Sequence, residues 1–122
     1  MTASIFTVVG VNRRTGPAEL RDRLYVEDEA VPALLDRLCA AGMAEAMVLC
    51  TCDRVEIWGA GDTPDGGAAA FALLAENAGM EPRALLPQRF LETGEAALRH
   101  AFAVAASLDS EVIGEPQVLG QV

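Results

Sequence analysis

Apolar and polar positions alternate with two different periods along this chain. Ile5 to Val11 (IFTVVGV) is a continuous, largely β-branched run, which predicts a buried first strand. The polar stretch Asn12 to Pro17 (NRRTGP) breaks it as a loop, and Pro17 suits the first turn of a short helix, PAELRDRL. Asp28 is read as the N-cap of a second helix, EAVPALLDRLCAAG, in which Val31, Leu34, Leu35 and Leu38 recur at helical spacing before Gly42 at C′. Glu45 to Thr51 (EAMVLCT) and Val55 to Trp58 (VEIW) predict two strands, with the polar turn Cys52-Asp53-Arg54 between them or at their edge. Gly59 to Gly67 (GAGDTPDGG) is breaker-rich and predicts a surface loop. A third helix, AAAFALLAENAG, closes at Gly79, and Gln88 to Glu92 predicts a short strand. Gly94 to Ser107 predicts a fourth helix with Leu98, Phe102 and Ala105 on one face. Glu115 to Val122 (EPQVLGQV) reads as the start of a further element.

The order β-α-β-β-α-β-α predicts an α+β fold, a ferredoxin-like split βαβ sandwich. At 122 residues the chain is expected to form one domain, 1–122, burying roughly two-thirds of its unfolded surface. Hydrophobic residues at 52% and charged residues at 22% are those of a globular protein. The charge adds more. Nine basic and 18 acidic residues give a net −9, and all nine basic residues are Arg, with no Lys. Such a chain lacks the basic footprint of a free-standing nucleic-acid binder or a polybasic membrane binder. No apolar run approaches the roughly 18–20 residues that span a bilayer, and no basic segment precedes the first apolar run as in a signal peptide. A cytoplasmic protein with no membrane partner is expected, its thiols reduced. Three cysteines, an odd number, cannot form a closed disulfide framework.

The densest candidate chemistry is Cys50-Thr51-Cys52-Asp53-Arg54, where an apolar strand runs into a polar turn. A thiolate is the reactive form of Cys, and a neighbouring guanidinium favours it. Arg54 could also take a substrate carboxylate bidentately. The plainer alternative makes Cys50 a small core residue and Arg54 a solvated turn charge. His100 is the only histidine and sits mid-helix with Ala97, Ala101 and Val104 on its face, so any acid–base step near neutrality would look to it first. No metal is expected: Cys39, Cys50, Cys52 and His100 lack the paired spacing of structural zinc. No G-x-G-x-x-G and no G-x-x-x-x-G-K-[ST] is present, so no nucleotide cofactor is expected on this chain itself.

Four stretches together resemble one family: GVNRRTGPAELRDRL (10–24), VLCTCDRVEIW (48–58), LRHAFAVAASLDS (98–110) and EVIGEPQVLGQV (111–122). In order and spacing they are similar to the N-terminal catalytic domain of glutamyl-tRNA reductase. The resemblance implies an NADPH-dependent oxidoreductase of tetrapyrrole synthesis. In it a cysteine attacks the ester of glutamyl-tRNA, and the thioester is then reduced to glutamate-1-semialdehyde. It implies glutamyl-tRNA as partner through its aminoacyl end. It also implies that NADPH is bound by a domain absent from this chain, and that dimerisation, giving a homodimer, belongs to another absent domain. The family pattern S-T-C-N-R falls on Cys50 to Arg54, so Cys52 matches the nucleophile, Arg54 the residue that holds the glutamate carboxylate, and Thr51 the pocket lining. His100 matches a helical His near the reacting ester. Asn12, Arg14 and Thr15 match the loop beside the site, and Ser110, Glu115 and Gln117 fall in the C-terminal signature.

An Arg–carboxylate clamp would reject glutaminyl esters, which leave the guanidinium unpaired. Four positions depart from the family pattern. Arg13 stands where the loop has His, and Gly16 where it has Ala; Cys50 replaces Ser, and Asp53 replaces Asn. Asp53 is expected to oppose thiolate formation at Cys52 and to repel a substrate carboxylate. Cys50 and Cys52 are expected to face the same side of an extended strand, close enough for a redox-sensitive pairing. The competing function is a non-catalytic ferredoxin-like module for amino-acid binding or protein interaction.

Overall fold

The computed structural model describes residues 4–62 and 65–112, with side chains as far as residue 107. Four strands form one antiparallel sheet in the order β2-β3-β1-β4: β1 is Ile5–Asn12, β2 Met43–Cys50, β3 Arg54–Gly61 and β4 Phe90–Thr93. Four helices accompany it: α1 Ala18–Leu24, α2 Val31–Ala40, α3 Gly66–Asn77 and α4 Gly94–Val112. This is the split βαβ arrangement expected from the sequence, with β3 between the parallel pair β1 and β2. Among the described residues no helix is long and apolar enough to cross a membrane.

The two faces of the sheet are covered unequally. Val9 and Val11 of β1 and Val55 and Ile57 of β3 point to one side, where they pack with Leu20, Leu24, Leu34, Leu38, Phe71 and Leu74 of α1, α2 and α3. This is the main core. Alternation along β3 sends Arg54, Glu56 and Trp58 to the other side. There α4 alone packs, through a small cluster of Leu49, Val104 and Trp58. A face with one helix over it leaves room for a cleft.

Several boundaries differ from the sequence reading. Asp28 opens a short 3₁₀ turn, Asp28–Ala30, and the residue that caps α2 is Ala30. The segment Pro82–Gln88, for which the sequence predicts no helix, is a second 3₁₀ stretch whose Leu85 is buried. Strand β3 runs three residues beyond Trp58, into the stretch read as loop. Most informative is α4. Its Leu98, Phe102 and Ala105 are exposed, Phe102 by 73%, while Ala97 and Val104 are buried on the His100 face. The larger apolar stripe therefore points away from the sheet.

Gly10 sits in β1 opposite Glu56, and a methyl group there would overlap the Val55 carbonyl and lie 2.8 Å from Glu56 Cα. Backbone cannot move aside as a flexible side chain can. Gly10→Ala is therefore expected to cost about 2 kcal/mol or more, read as a shifted denaturation midpoint at unchanged slope.

Candidate active site

The site is built from a loop, a strand start and a helix. Asn12 ends β1 and folds the following loop around itself. Its backbone N–H donates to Thr15 Oγ1 (3.0 Å), and its Oδ1 accepts from Arg14 N–H (2.9 Å). Its carbonyl accepts from Thr15 N–H (3.1 Å) and Gly16 N–H (3.0 Å). This is an Asx-type turn, which fixes the two intervening arginines on an ordered backbone. Arg21 on α1 ties this loop to the turn after β2: its Nη1 donates to the Gly16 carbonyl (2.8 Å) and its Nε to the Cys52 carbonyl (3.3 Å).

Across the sheet, Glu56 is fully buried and holds three partners. Its carboxylate accepts from Arg54 Nη1 (2.9 Å), Trp58 Nε1 (2.7 Å) and His100 Nε2 (3.1 Å to each oxygen). An ionised carboxylate can remain in a dry strand face only with such partners. With Glu56 as the acceptor His100 donates through Nε2, and in that neutral tautomer Nδ1 is the acceptor. Phe90 lies against the His100 ring at 4.9 Å between centroids. The imidazole is thus fixed from two sides.

Over this network opens a cleft of about 530 Å³, lined by Asn12, Arg13, Arg14, Arg54, His100, Ala103, Val104 and Ser107. The structure thus brings together Asn12, Arg14, Arg54 and His100 of the expected site. Cys52 is exposed on the turn two residues before Arg54, the first residue of β3, and it does not line the cleft itself. Thr51 and Thr15 are also outside the lining and act locally: Thr51 Oγ1 accepts from Asp53 N–H (3.2 Å) and its N–H donates to the Arg54 carbonyl (2.9 Å). Ser110 lies on α4 beyond the described side chains, and Glu115 and Gln117 lie outside the described residues.

Two sequence expectations are corrected here. Strand β2 ends at Cys50, so Cys50 and Cys52 do not continue one extended register. Cys50 packs against the main core, Cys52 is exposed on the turn, and both are free thiols. The reading of Arg54 as a solvated turn charge is also set aside, because its side chain is only 19% exposed and paired to Glu56.

Burial pushes the Cys50 thiol above its ordinary 9.0, with Asp28 and Glu27 adding to the rise and a hydrogen bond to Val26 backbone opposing it. A raised folded-state value favours the protonated form, so its contribution to stability is complete below about pH 9 and is lost as pH rises beyond it. Thiol alkylation near neutral pH is therefore expected to leave Cys50 unmodified, and Cys50→Ala to flatten the alkaline loss of melting temperature. Modification of Cys50 as fast as of Cys52 would contradict this.

Glu56 and Trp58 escaped the sequence reading, although the period-two string Arg54-x-Glu56-x-Trp58 was the available signal. Asp53 was read as a bare negative charge beside Cys52. In the structure Arg13 Nε lies 3.8 Å from its Oδ1, so two of the departures from the family pattern face each other. Among the described residues no three His, Cys, Asp or Glu side chains gather as a metal site would require.

The fold and site define a split βαβ domain with a cationic cleft beside an exposed thiol. The family model described as glutamyl-tRNAGlu reductase, N-terminal domain, matches residues 9–122. The chain belongs to the glutamyl-tRNA reductase N-terminal domain family. It is 47% identical over 118 residues to the glutamyl-tRNA reductase of Rhodospirillum rubrum and 40% identical over 119 residues to that of Syntrophotalea carbinolica. Each match covers 96% of this chain, which spans about a quarter, 27%, of the length of either relative. The structure of glutamyl-tRNA reductase from Methanopyrus kandleri superposes with a TM-score of 0.62 at 25% identity, covering 95% of this chain and 26% of that one.

Proposed function

We propose that this chain is the acyl-accepting part of a glutamyl-tRNA reductase and that Cys52 takes the glutamyl group from glutamyl-tRNA. The observation that carries the reading is the Arg54–Glu56–His100 network beside the exposed Cys52 turn, in a chain of this family. The Cys52 thiol gives its proton to His100 Nδ1, and the resulting thiolate attacks the ester carbonyl carbon. The tetrahedral adduct collapses by breaking the bond to the ribose oxygen. His100 returns the proton to that oxygen, and a glutamyl thioester remains on Cys52. One hard step is thereby divided into two easier ones.

Arg54 is engaged by Glu56 through Nη1 alone, and the guanidinium has further donors for the glutamate side-chain carboxylate. Arg13 beside Asp53 offsets the negative charge that would repel that carboxylate. The described residues do not fit NADPH: β1 runs into an Asx turn with two arginines and not into a glycine-rich phosphate turn. The reductant and the dimer contacts then belong to parts of the protein outside this chain.

Glutamyl-tRNA and glutaminyl-tRNA separate this reading from a non-catalytic amino-acid-binding module. Acyl transfer to this chain is expected from the first and to be at least about a hundredfold slower from the second, because the neutral amide cannot match the guanidinium's remaining donors as a carboxylate does. Equal transfer from both would remove Arg54 from its role. Binding of free glutamate with no transfer would favour the module.

A further inference from the structure

We propose that Arg13 and Arg14 form a phosphate subsite at the rim of the cleft, holding the phosphodiester that joins the esterified terminal nucleotide to the one before it. The inference rests on the glutamyl-tRNA reading and names the part of that substrate which the loop after β1 grips. The chain carries a net charge of −9, yet three of its nine arginines line this one cleft. Arg54, paired to Glu56 through Nη1 and assigned the glutamate carboxylate, lies in the strand, only 19% exposed. Arg13 and Arg14 sit on the loop, Arg13 with 71% of its side chain exposed, and Arg14 has no ion-pair partner among the described residues.

Two guanidiniums on successive residues are normally mobile and hold nothing in particular. Here the Asn12 turn fixes their backbone through four hydrogen bonds, and Arg21 anchors the end of that turn. Two guanidinium forks carried on such an ordered backbone match the tetrahedral, anionic geometry of a phosphodiester. Arg13 Nε lies 3.8 Å from Asp53 Oδ1 on the Cys52 turn, which would set the phosphate on the side from which the ester reaches the thiol. An acidic domain could thus take the single-stranded end of a polyanion through one local patch, without a basic surface elsewhere.

The test compares two non-hydrolysable probes on this chain: glutamate joined by an amide to 3′-amino-adenosine, and the same conjugate extended by one cytidine through a phosphodiester. The extended probe is expected to bind about tenfold tighter, and Arg13→Gln/Arg14→Gln to bring that ratio close to one. In the unaltered chain the extended probe should also lose affinity with salt more steeply, by about 0.7 in log–log slope for each phosphate contact. Probes that bind equally to the unaltered chain, or a tenfold ratio that survives the double substitution, would overturn the proposal. Displacement of the extended probe by NADPH, with the nucleoside probe left bound, would assign the subsite to the reductant's phosphate and overturn it equally. Failure of the underlying reading has a different signature: glutamyl and glutaminyl versions of the nucleoside probe would bind alike.

Discussion

Replacing Cys52 by Ser is expected to slow glutamyl transfer to this chain by on the order of a thousandfold or more, with little change in folding. A hydroxyl at this position is a far weaker nucleophile near neutral pH than a thiol with an accessible thiolate form, and the remaining site can supply binding but no covalent acceptor. The folding expectation follows from position. Cys52 is exposed on a turn, and the hydrogen bond recorded there, from Arg21, goes to its backbone carbonyl, which the substitution leaves in place. A stability change within about 0.5 kcal/mol is expected. Cys50→Ala gives the opposite pattern, a measurable loss of stability from the core with transfer retained. Single-turnover transfer rates and thermal melts on both variants check the pair. Equal loss of transfer in both would move the chemistry away from Cys52.

Glu56→Gln is expected to have the largest effect on folding and activity together. Glu56 is the buried centre of the site, bonded to Arg54, Trp58 and His100 at 2.7–3.1 Å. The amide keeps the shape but removes the charge that balances the Arg54 guanidinium, and its NH₂ cannot accept from a third donor. Breaking one partner of a buried ion pair costs about 3 kcal/mol, which corresponds to a fall in melting temperature of roughly 10 °C for a domain of this size. Loss of the Glu56 acceptor also frees His100 to change tautomer, and transfer is expected to slow by about a hundredfold. The shift of proton between the two ring nitrogens is readable from their nitrogen-15 resonances. An unchanged tautomer, or an unchanged melting temperature, would show that Glu56 does not hold the site as described.

The sequence made some of this legible for clear physical reasons. Strand β1 was readable because it is buried on both faces and so nearly uninterrupted in apolar residues, and α2 because Leu34 and Leu38 carry one buried stripe. The stretch Pro82–Gln88 was missed because two prolines and polar neighbours look like a loop until Leu85 is seen in the core. Helix α4 was predicted, but its pattern did not tell which face meets the sheet. Its strongest apolar stripe, with Leu98 and Phe102, is exposed, and the face that meets the sheet is made of small residues around a histidine. The candidate site was legible as residue types, through the resemblance, but not as a network. Glu56 joins Arg54 to His100 across 44 residues of sequence, a contact that depends on strand order and on which sheet face α4 covers. The same is true of Arg13 and Asp53, which only the folded loop brings within 3.8 Å.

The most direct measurement is mass spectrometry of this chain after brief incubation with glutamyl-tRNA and no reductant. The expected result is one added glutamyl group, released by hydroxylamine as a thioester is and mapped to the peptide that holds Cys52. Absence of the adduct, its location on Cys39 or Cys50, or its persistence in Cys52→Ala would contradict the assignment of Cys52 as the acyl acceptor.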